Sequence, residues 1–529
     1  MKALLVHPEF PTTFWGFQHS LPLVQKRASL PPLGLITMAA HLPREIELRL
    51  VDMNAEELTA QDLSWADVVL VGGMRIQAPS MHDVLAQAQS MGKRTVVGGP
   101  AATTSPQEFT DADVVFQGEV EGREDELACA VQDLPRVSRM MPRRKGDLPS
   151  LSTTVVPRFD LLNLRHYVSM SIQYSRGCPF QCEFCDVIEL FGRVPRVKSA
   201  GQVLRELTAL HDLGYRGSVF FVDDNFVGNM REVRKFLPLL KDWQEKRGFP
   251  LEFYTEASVN LARDLDLAKN MVDAGFSAVF LGIETPSASA LEEVGKRQNL
   301  RVDLEEAVLS LTRVGLEVMG GFVVGFDSDG PQAFDAQRNF LVNSPIPLAM
   351  IGILTALPGT ALWRRLEREG RLRATSSGDQ FDRPNFEPKM DEEALLRGYA
   401  GLLASLYSPD AYYRRCEAFL RHAPVPAKRQ VRPGGLAIAW RTAITLGIRG
   451  SRRRRFWSFL ARALRASPGH FAWAIVHAIQ GEHLIRYTWE DVLPRIEKAV
   501  AGLRNERELG ASATTCFAHV LAGASTVPT

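Results

Sequence analysis

The sequence of 529 residues has little of two things: cysteine, with six residues, and long uncharged apolar runs. The longest apolar stretch, residues 466–481, spans about 16 residues and contains Pro468 and two histidines, whereas a membrane span takes about 20 predominantly apolar residues. The apolar run at residues 1–8 is too short for a signal peptide and predicts a strand. Lys and Arg number 62 against 61 Asp and Glu, and this balance argues against general affinity for nucleic acid. We therefore expect a cytoplasmic protein with no nucleic-acid partner.

Acidic residues are absent from residues 418–481, a region rich in arginine. Large apolar residues recur every four positions at Leu436–Ile448 and again at Phe456–Leu464, as on the apolar face of a helix. Such a stretch has three interpretations: a helical domain packed on the rest of the protein, a surface that contacts a membrane, or one that contacts nucleic acid. Its basic residues are Arg421, Lys428, Arg429, Arg432, Arg441, Arg449, Arg452, Arg453, Arg454, Arg455, Arg462 and Arg465.

Three of the six cysteines, Cys178, Cys182 and Cys185, are clustered with the spacing C-x3-C-x2-C, and the others are scattered. Clustered thiolates suit iron or zinc. A structural zinc site needs a fourth ligand, usually from a second Cys or His pair, and no such pair is evident nearby. An iron–sulfur cluster with one open iron fits better. Its assembly needs a reducing compartment, which argues against disulfides.

The cysteine motif, with Phe184 as the aromatic residue before the last cysteine, resembles the signature of the radical S-adenosylmethionine (SAM) family. The resemblance implies that the three cysteines hold a [4Fe–4S] cluster whose fourth iron binds SAM. One electron, from a reductant such as flavodoxin or ferredoxin, then cleaves SAM to a radical that abstracts hydrogen from an unactivated carbon. In such enzymes the protein binds and orients the cofactors and excludes water.

The first 125 residues predict a doubly wound α/β domain with a parallel sheet. Its ligand is expected beyond the carboxyl ends of the strands, where glycines allow close approach of the backbone. The predicted strands are Ala3–Val6, Leu48–Val51, Val68–Val71, Thr95–Val97 and Val114–Phe116, and the predicted helices lie near Leu33–His41 and Ser80–Met91.

This domain, with the Pro-Pro-Leu-Gly-Leu segment at residues 31–35, resembles the cobalamin-binding domain of cobalamin-dependent radical SAM enzymes. The resemblance implies cobalamin at the strand ends. The D-x-H-x-x-G motif of other cobalamin proteins is absent, so His7 and His82 are predicted to be structural. The lower face of cobalamin is then expected to meet water or a non-histidine residue such as Met74, Arg75 or Gln77. The candidate binding residues are Gly72, Gly73, Met74, Gly98, Gly99 and Gly118.

Residues 126–165 are predicted to be a linker, 166–370 a radical SAM core and 371–529 a helical C-terminal domain. The core alternates strands and helices in the (β/α)6 pattern of the family's partial barrel, with its site at the carboxyl ends of the strands. The tyrosines within residues 407–413 either cover the barrel mouth or belong to the interdomain core. The predicted core strands are Val168–Tyr174, Val219–Val222, Glu252–Thr255, Ala278–Leu281, Gly320–Val324 and Ile351–Thr355.

Several strand ends of the core resemble SAM-binding segments of the family. Glu284 matches the segment after the fourth strand, and Gly321 and Gly325 match the fifth-strand segment that packs near adenine. Asp223 and Asp224 stand where many members grip the SAM amino group, and carboxylates can accept hydrogen bonds from an ammonium. They could instead cap the following helix. No residue is assigned a catalytic role.

The cysteine loop with residues 186–196 and 217–226 resembles the subgroup that includes hopanoid C-2 methylases. The resemblance implies a methyltransferase that acts on an unactivated carbon, of a small molecule or of a lipid such as a hopanoid met at the inner membrane. Two alternatives stay open: a non-methylating radical SAM oxidoreductase or cyclase, and a cobalamin or iron–sulfur sensor. A sensor would not need the SAM-binding strand ends.

Overall fold

The computed structural model describes residues 1–132, 139–143, 148–425 and 434–523. The chain begins with a six-stranded parallel sheet in the order β2-β1-β3-β4-β5-β6. Its strands are β1 (Lys2–His7), β2 (Glu47–Asp52), β3 (Val68–Gly72), β4 (Arg94–Gly98), β5 (Val114–Phe116) and β6 (Arg139–Met141), and its helices are α1 (Leu21–Val24), α2 (Leu33–Ala40), α3 (Ala60–Trp65), α4 (Ala78–Ser90), α5 (Gly99–Thr104) and α6 (Glu124–Gln132).

All five predicted strands of this sheet are present within two residues of the expected bounds. Helices cover both faces, and strands β1, β3, β4 and β5 are mainly apolar and buried, whereas the edge strand β2 carries exposed Glu47 and Arg49. The chain order reverses between β1 and β3, and ligands of doubly wound sheets bind beyond such a switch point. Strand β6 lies in the segment that was interpreted as a linker. It was not predicted, because a strand of three residues is too short to show a hydrophobic pattern. Residues 144–147 of that segment's basic run lie outside the described residues.

The second sheet is the partial barrel, with six parallel strands in the order β14-β13-β12-β11-β10-β7. The predicted (β/α)6 pattern is therefore confirmed. Its strands are β7 (Ser169–Ile172), β10 (Ser218–Phe221), β11 (Glu252–Ala257), β12 (Phe276–Glu284), β13 (Glu317–Val324) and β14 (Ala349–Ile353), a short hairpin pairs β8 (Ser175–Arg176) with β9 (Arg196–Val197), and the helices are α7 (Val187–Phe191), α8 (Ala200–Asp212), α9 (Met230–Glu245), α10 (Leu265–Asp273), α11 (Ala288–Glu293), α12 (Leu304–Val314), α13 (Gln332–Asn343) and α14 (Ala361–Arg368).

The C-terminal part is helical and packs on the barrel in one continuous apolar core. The tyrosines of residues 407–413 belong to this core, and the Tyr407 hydroxyl hydrogen-bonds to the backbone of Ala349 in β14. No helix in the described ranges is long and apolar enough to cross a bilayer. The helices are α15 (Glu392–Leu406), α16 (Pro409–His422), α17 (Gly435–Thr442), α18 (Arg453–Ala466), α19 (Phe471–Arg486) and α20 (Leu493–Gly523), with π-helical turns at Ala443–Arg449 and Tyr487–Val492.

Candidate functional site

The three clustered cysteines lie on the loop between β8 and α7 at the carboxyl end of the barrel, and all are partly exposed. The pairing of β8 with β9 closes the base of this loop. Gly177 has φ +96°, and a Cβ there would lie 2.8 Å from the carbonyl oxygen of Gly192. Only glycine fits where these two backbone segments approach each other, so the protein's own backbone sets the conformation of the loop.

The base of the cysteine loop is ion-paired to the N-terminal domain. Arg176 contacts Glu119 at 2.5 Å and Glu121 at 2.9 Å, and Arg196 contacts Glu119 at 2.8 Å. Glu119 follows Gly118 beyond the carboxyl end of β5. These nearly buried pairs therefore hold the cysteine loop against the predicted cobalamin edge of the first sheet.

Two amide side chains point at cysteine sulfurs. Asn225 Nδ2 lies 3.8 Å from Cys178 Sγ, and Gln298 Nε2 lies 3.7 Å from Cys182 Sγ. Burial raises the pKa of all three thiols, while these hydrogen bonds act in the opposite direction on Cys178 and Cys182. The site therefore supplies donors that stabilise negative charge on sulfur.

The donor set fits a four-iron cluster better than a single metal ion. In such a cluster each cysteine binds a different iron, so the sulfurs surround the cluster without converging on one point. Among the described residues, no three His, Cys, Asp or Glu side chains converge to hold one ion. Cys416 is buried in the C-terminal core and away from the loop. The structural-zinc interpretation thus has no ligand set in the described part of the chain.

The two aspartates that end β10 have different surroundings. Asp223 is fully buried and accepts hydrogen bonds from the backbone of Tyr174 and from both the backbone and the hydroxyl of Ser175. Asp224 has a buried Oδ2 without a partner in the described structure. Burial, then the charge of Asp223, raises the pKa of Asp224 to about 7. The arrangement supports a loop-positioning role for Asp223 and leaves Asp224 as the predicted SAM contact.

Glu284 ends β12 with φ +64°, a conformation that non-glycine residues adopt only where surrounding contacts hold it. Its carboxylate is ion-paired with Lys296, and Asn299 donates to the carbonyls of Gly282 and Ile283 just before it. Burial lowers the pKa of Lys296, but the charges of Glu284 and Cys182 outweigh burial and raise this pKa. The contact of Glu284 with SAM stays a prediction, because the Glu284 carboxylate is already paired with Lys296.

The remaining predicted SAM residues lie on β13 and at its end. Gly321 faces the inside of the barrel, because a Cβ there would lie 2.6 Å from the ring of Phe280. Gly325 has φ +96° and donates its backbone N–H to Asp329 at 2.9 Å.

Around the cysteine loop, three buried oxygens lack partners within the described structure: Asp224 Oδ2, Gln298 Oε1 and Asn299 Oδ1. Free acceptors of this kind fit a ligand with an ammonium and hydroxyl groups, as SAM has.

The predicted cobalamin residues meet at one edge of the first sheet. Gly72 and Gly98 end the neighbouring strands β3 and β4, and their Cα atoms are paired in register. Gly99 has φ +86°, and a Cβ there would lie 3.1 Å from the carbonyl oxygen of Gly73. Gly118 follows β5 with φ +87° and borders the side chain of Arg143. Glycines without side chains therefore form this edge, so a flat ligand can approach the backbone closely.

Of the three candidates for the lower face of cobalamin, only Met74 is exposed. Arg75 is held by Glu108 and by the carbonyl of Ser376, while Gln77 is fully buried and donates to the Pro8 carbonyl. Both histidines that were predicted to be structural have protein contacts. His7 Nδ1 lies 3.4 Å from the carbonyl oxygen of Gly72, and His82 stacks on Phe109.

Sequence reasoning missed Lys296 and Gln298, and it gave no role to Glu256 at the end of its predicted strand. Lys296 and Gln298 follow α11 in a segment without a motif, and only the fold brings them to the cysteines. Glu256 lies on β11, and period-2 alternation on that strand was the signal that could have placed it inside the barrel. Burial, then the charges of Asp224 and Asp223, raises the pKa of Glu256 to about 8.

Three family matches divide the chain in the same order as the structure. Residues 24–128 match the B12 binding domain, residues 172–336 the radical SAM superfamily, and residues 360–497 a domain of unknown function (DUF4070). The cofactors of the first two families are those predicted from the sequence: cobalamin, a [4Fe–4S] cluster and SAM.

Relatives match almost the whole chain. An uncharacterized methyltransferase of Synechocystis sp. is 43% identical over 92% of this chain and 92% of its own length. The hopanoid C-2 methylase of Rhodopseudomonas palustris is 35% identical over 92% of this chain and 94% of its own length. These methyltransferase relatives, which match over nearly their full length, identify the chain as a radical SAM C-methyltransferase and favour an enzyme over the sensor interpretation.

Solved structures share the fold at low sequence identity. The radical SAM methyltransferase TsrM of Kitasatospora setae, with cobalamin and a [4Fe–4S] cluster bound, has a TM-score of 0.57 at 14% identity and covers 88% of this chain and 99% of its own. The cobalamin-dependent enzyme OxsB has a TM-score of 0.55 at 14% identity over 93% of this chain and 84% of its own. With the domain matches and the two full-length relatives, the chain belongs to the cobalamin-dependent radical SAM family, in the subgroup that includes the hopanoid C-2 methylases.

Proposed function

We propose that this methyltransferase methylates an unactivated carbon of a lipophilic, polycyclic substrate such as a hopanoid. The observation that carries the proposal is the inner face of the barrel, which is lined by aromatic rings. The 35% identical hopanoid C-2 methylase is a second, independent support. On this proposal the enzyme works on the cytoplasmic side of the inner membrane and receives its electron from flavodoxin or ferredoxin.

The inner face follows from strand alternation. On β10, β11 and β12, one set of residues is fully buried under the outer helices, and Val219, Phe253 and Val279 belong to it. The alternate residues face inward and are partly accessible. Among these, Phe220 and Tyr254 stack with ring centroids 4.7 Å apart and planes 6° from parallel. The stacked pair contributes apolar surface to the inner face of the barrel.

The N-terminal segment closes part of this space. Trp15 meets the Phe280 ring edge-on at 5.7 Å between centroids, and its Nε1 lies 3.0 Å from the sulfur of Met350 on β14. We call the space beside Phe220, Tyr254, Phe280 and Trp15 the aromatic chamber. An apolar wall of this kind matches a hydrocarbon ring system and would leave polar groups of a hydrophilic substrate unpaired.

The acidic groups of the chamber do not contradict an apolar ligand. The pKa of Glu256 is raised to about 8 by burial and by its acidic neighbours, and the pKa of Tyr254 is raised to about 12 by burial. Burial therefore favours the neutral form of Glu256 near pH 7, and a tyrosine is neutral at that pH in any case. A neutral carboxylic acid can donate one hydrogen bond, which suits a single hydroxyl at one end of an otherwise apolar molecule.

When bound, the cluster and SAM supply the hydrogen-abstracting radical, and cobalamin supplies the methyl group. The chain's own residues do the rest. On this proposal Cys178, Cys182 and Cys185 hold the cluster, and Asp224, whose Oδ2 has no partner in the described structure, accepts a hydrogen bond from the SAM ammonium. The aromatic chamber excludes water and orients one carbon toward the cysteine loop.

The test uses full-length protein reconstituted under anaerobic conditions, with SAM labelled in its methyl group. Detergent-solubilised diploptene serves as the hopanoid probe and tryptophan as the hydrophilic comparison. We expect label in the lipid fraction, together with 5′-deoxyadenosine. Formation of 5′-deoxyadenosine without labelled lipid, or label transfer to tryptophan alone, would contradict the proposed substrate class.

A matched pair of variants addresses the chamber itself. Trp15→Ala removes the ring that contacts Phe280, whereas Trp15→Phe retains an aromatic edge. If the chamber holds the substrate, Trp15→Ala should raise the ratio of 5′-deoxyadenosine to methylated product, because the carbon is less well positioned. Trp15→Phe should stay near the ratio of the wild type. Equal ratios in all three proteins would mean that the substrate does not reach this wall.

A further inference from the structure

The exposed face of helix α17 is unusually apolar. Leu436 is 81% exposed, Trp440 is 70% exposed, and Ile448, on the π-helical turn that follows, is 61% exposed. Leu436 and Trp440 are four residues apart and share one side of the helix. Each is a large side chain that a soluble surface would normally leave covered or replace by a polar residue.

The opposite side of this helix is firmly packed. Arg441 donates to the carbonyl oxygen of Leu23 at 3.1 Å, Thr442 is fully buried, and Leu446 joins the main core. Helix α17 is thus docked on α1 through one side. The apolar residues on the other side are presented outward by a fixed helix.

A fourth apolar side chain extends this patch from the next helix. Trp457 on α18 donates from Nε1 to the Gly447 carbonyl oxygen at 2.9 Å, and 48% of the side chain remains exposed. Phe456 and Leu460 of the same helix are buried. The sequence pattern therefore has two outcomes: Phe456 and Leu460 pack in the core, whereas Leu436, Trp440 and Ile448 are exposed.

The arginines around the patch divide into two groups. Arg452 pairs with Glu482 and Arg455 pairs with Asp410, both at 2.8 Å, so neighbouring helices already neutralise these two charges. For Arg453 and Arg454, and for Arg449 beside Ile448, no acidic partner is present within the described part of the chain, and all three are exposed. The free positive charges thus border the apolar residues.

We propose that Leu436, Trp440, Ile448 and Trp457, together with Arg449, Arg453 and Arg454, form a membrane face that sits in the headgroup region of an anionic bilayer. The proposal rests on the proposed lipid substrate, which must be collected from a membrane. Apolar side chains supply insertion, and the arginines supply attraction to acidic headgroups. A nucleic acid would be attracted by the same charges but would not need the apolar ridge.

The membrane face is also linked to the substrate chamber. Helix α17 packs on α1, and α1 directly follows the segment that carries Trp15 into the barrel. One short stretch of chain, residues 15–24, therefore joins the two.

Charge-matched variants of the full-length reconstituted enzyme test the proposal. Arg453→Gln with Arg454→Gln removes two free charges, and Arg452→Gln with Arg455→Gln removes two paired ones. Binding is measured by sedimentation with vesicles of phosphatidylglycerol and phosphatidylcholine, and with phosphatidylcholine alone. We expect the first double variant to bind the anionic vesicles about thirtyfold more weakly, from about fivefold per arginine, and the second to change much less.

The apolar ridge has its own pair of variants. Leu436→Ser with Trp440→Ser should reduce binding to both kinds of vesicle, whereas Leu239→Ser, which alters an exposed leucine on barrel helix α9, should not. High salt should release the wild type from anionic vesicles, because screening weakens the headgroup attraction. Equal vesicle binding by the first double arginine variant and the wild type would overturn the proposal, and so would binding to single-stranded RNA in place of vesicles.

Diploptene methylation in detergent separates this proposal from the proposed function. Methylation without vesicle binding would overturn the membrane face and leave the function standing. Vesicle binding without methylation would overturn the substrate class and leave the membrane face standing. Methylation in detergent should be unchanged in Arg453→Gln with Arg454→Gln, since neither residue lines the chamber.

Discussion

The side chain of Gln298 donates from Nε2 toward the sulfur of Cys182 across 3.7 Å. Asn225 stands in the same relation to Cys178, and its Oδ1 accepts from the backbone and hydroxyl of Ser258. Asn225 lies in the segment after β10, and Gln298 lies in the segment after α11. Two of the three cysteine sulfurs thus each have a hydrogen-bond donor from an amide side chain.

These donors predict an effect on reduction potential. Hydrogen bonds to sulfur stabilise the more negative, reduced cluster, so Gln298→Leu and Asn225→Leu should each lower its potential. A tenfold change in a one-electron equilibrium corresponds to about 59 mV, and we expect shifts on the order of that value or less. An EPR-monitored redox titration without SAM measures them. Gln244→Leu, which alters a buried glutamine that donates to the Leu251 carbonyl, is the control. Unchanged potentials in both site variants would contradict the assignment.

Replacing any one of Cys178, Cys182 and Cys185 by Ala should abolish the cluster. Each substitution removes one of only three protein ligands. Iron content and the brown absorption of protein purified under anaerobic conditions measure the loss. Cys129→Ala and Cys416→Ala are controls and should retain the cluster, because neither cysteine lies at the loop. About four irons per chain in all three site variants would show that the ligands lie elsewhere.

Glu256 predicts a pH-dependent stability. Its pKa is raised to about 8 in the folded protein, against about 4.3 in an unfolded chain. Between these values the folded state binds more protons, so the Glu256 contribution makes the protein less stable as pH rises from about 4.3 to 8. Glu256→Gln should therefore be more stable than the wild type at pH 8 to 9, with the difference shrinking toward pH 5. Thermal unfolding at several pH values measures this, with exposed Glu245→Gln as the control. A difference that does not vary with pH would contradict the shifted pKa.

Neither histidine of the N-terminal domain is expected to bind cobalt. His82 stacks on Phe109 with centroids 4.9 Å apart, and His7 Nδ1 lies 3.4 Å from the Gly72 carbonyl oxygen. His7→Gln and His82→Phe should therefore leave the absorption spectrum of bound cobalamin essentially unchanged. Met74→Ala tests the exposed alternative on the loop after β3. A changed cobalt spectrum in either histidine variant would refute the prediction.

The sequence by itself determined the cofactor chemistry and the order of the folds. A motif of three cysteines within eight positions is local, so it can be read without knowing the fold. Apolar runs are also local, so nine of the eleven predicted strands could be placed within two residues of their bounds. The end of β12 was set three residues too early and the start of β13 three residues too late. Strand β6 was missed because three residues in a polar segment carry no such pattern.

Only the tertiary structure decided which side chains share the site and which surface stays open. Gln298 lies 116 positions from Cys182, and Trp15 lies 335 positions from Met350, distances over which no local pattern operates. The repeat of apolar residues from 436 to 464 predicted amphipathic helices, but it did not predict which of their apolar residues would be buried. Packing on α1 and the core buried Phe456 and left Trp440 exposed, because a helix pattern specifies a face and only its neighbours determine whether that face is covered.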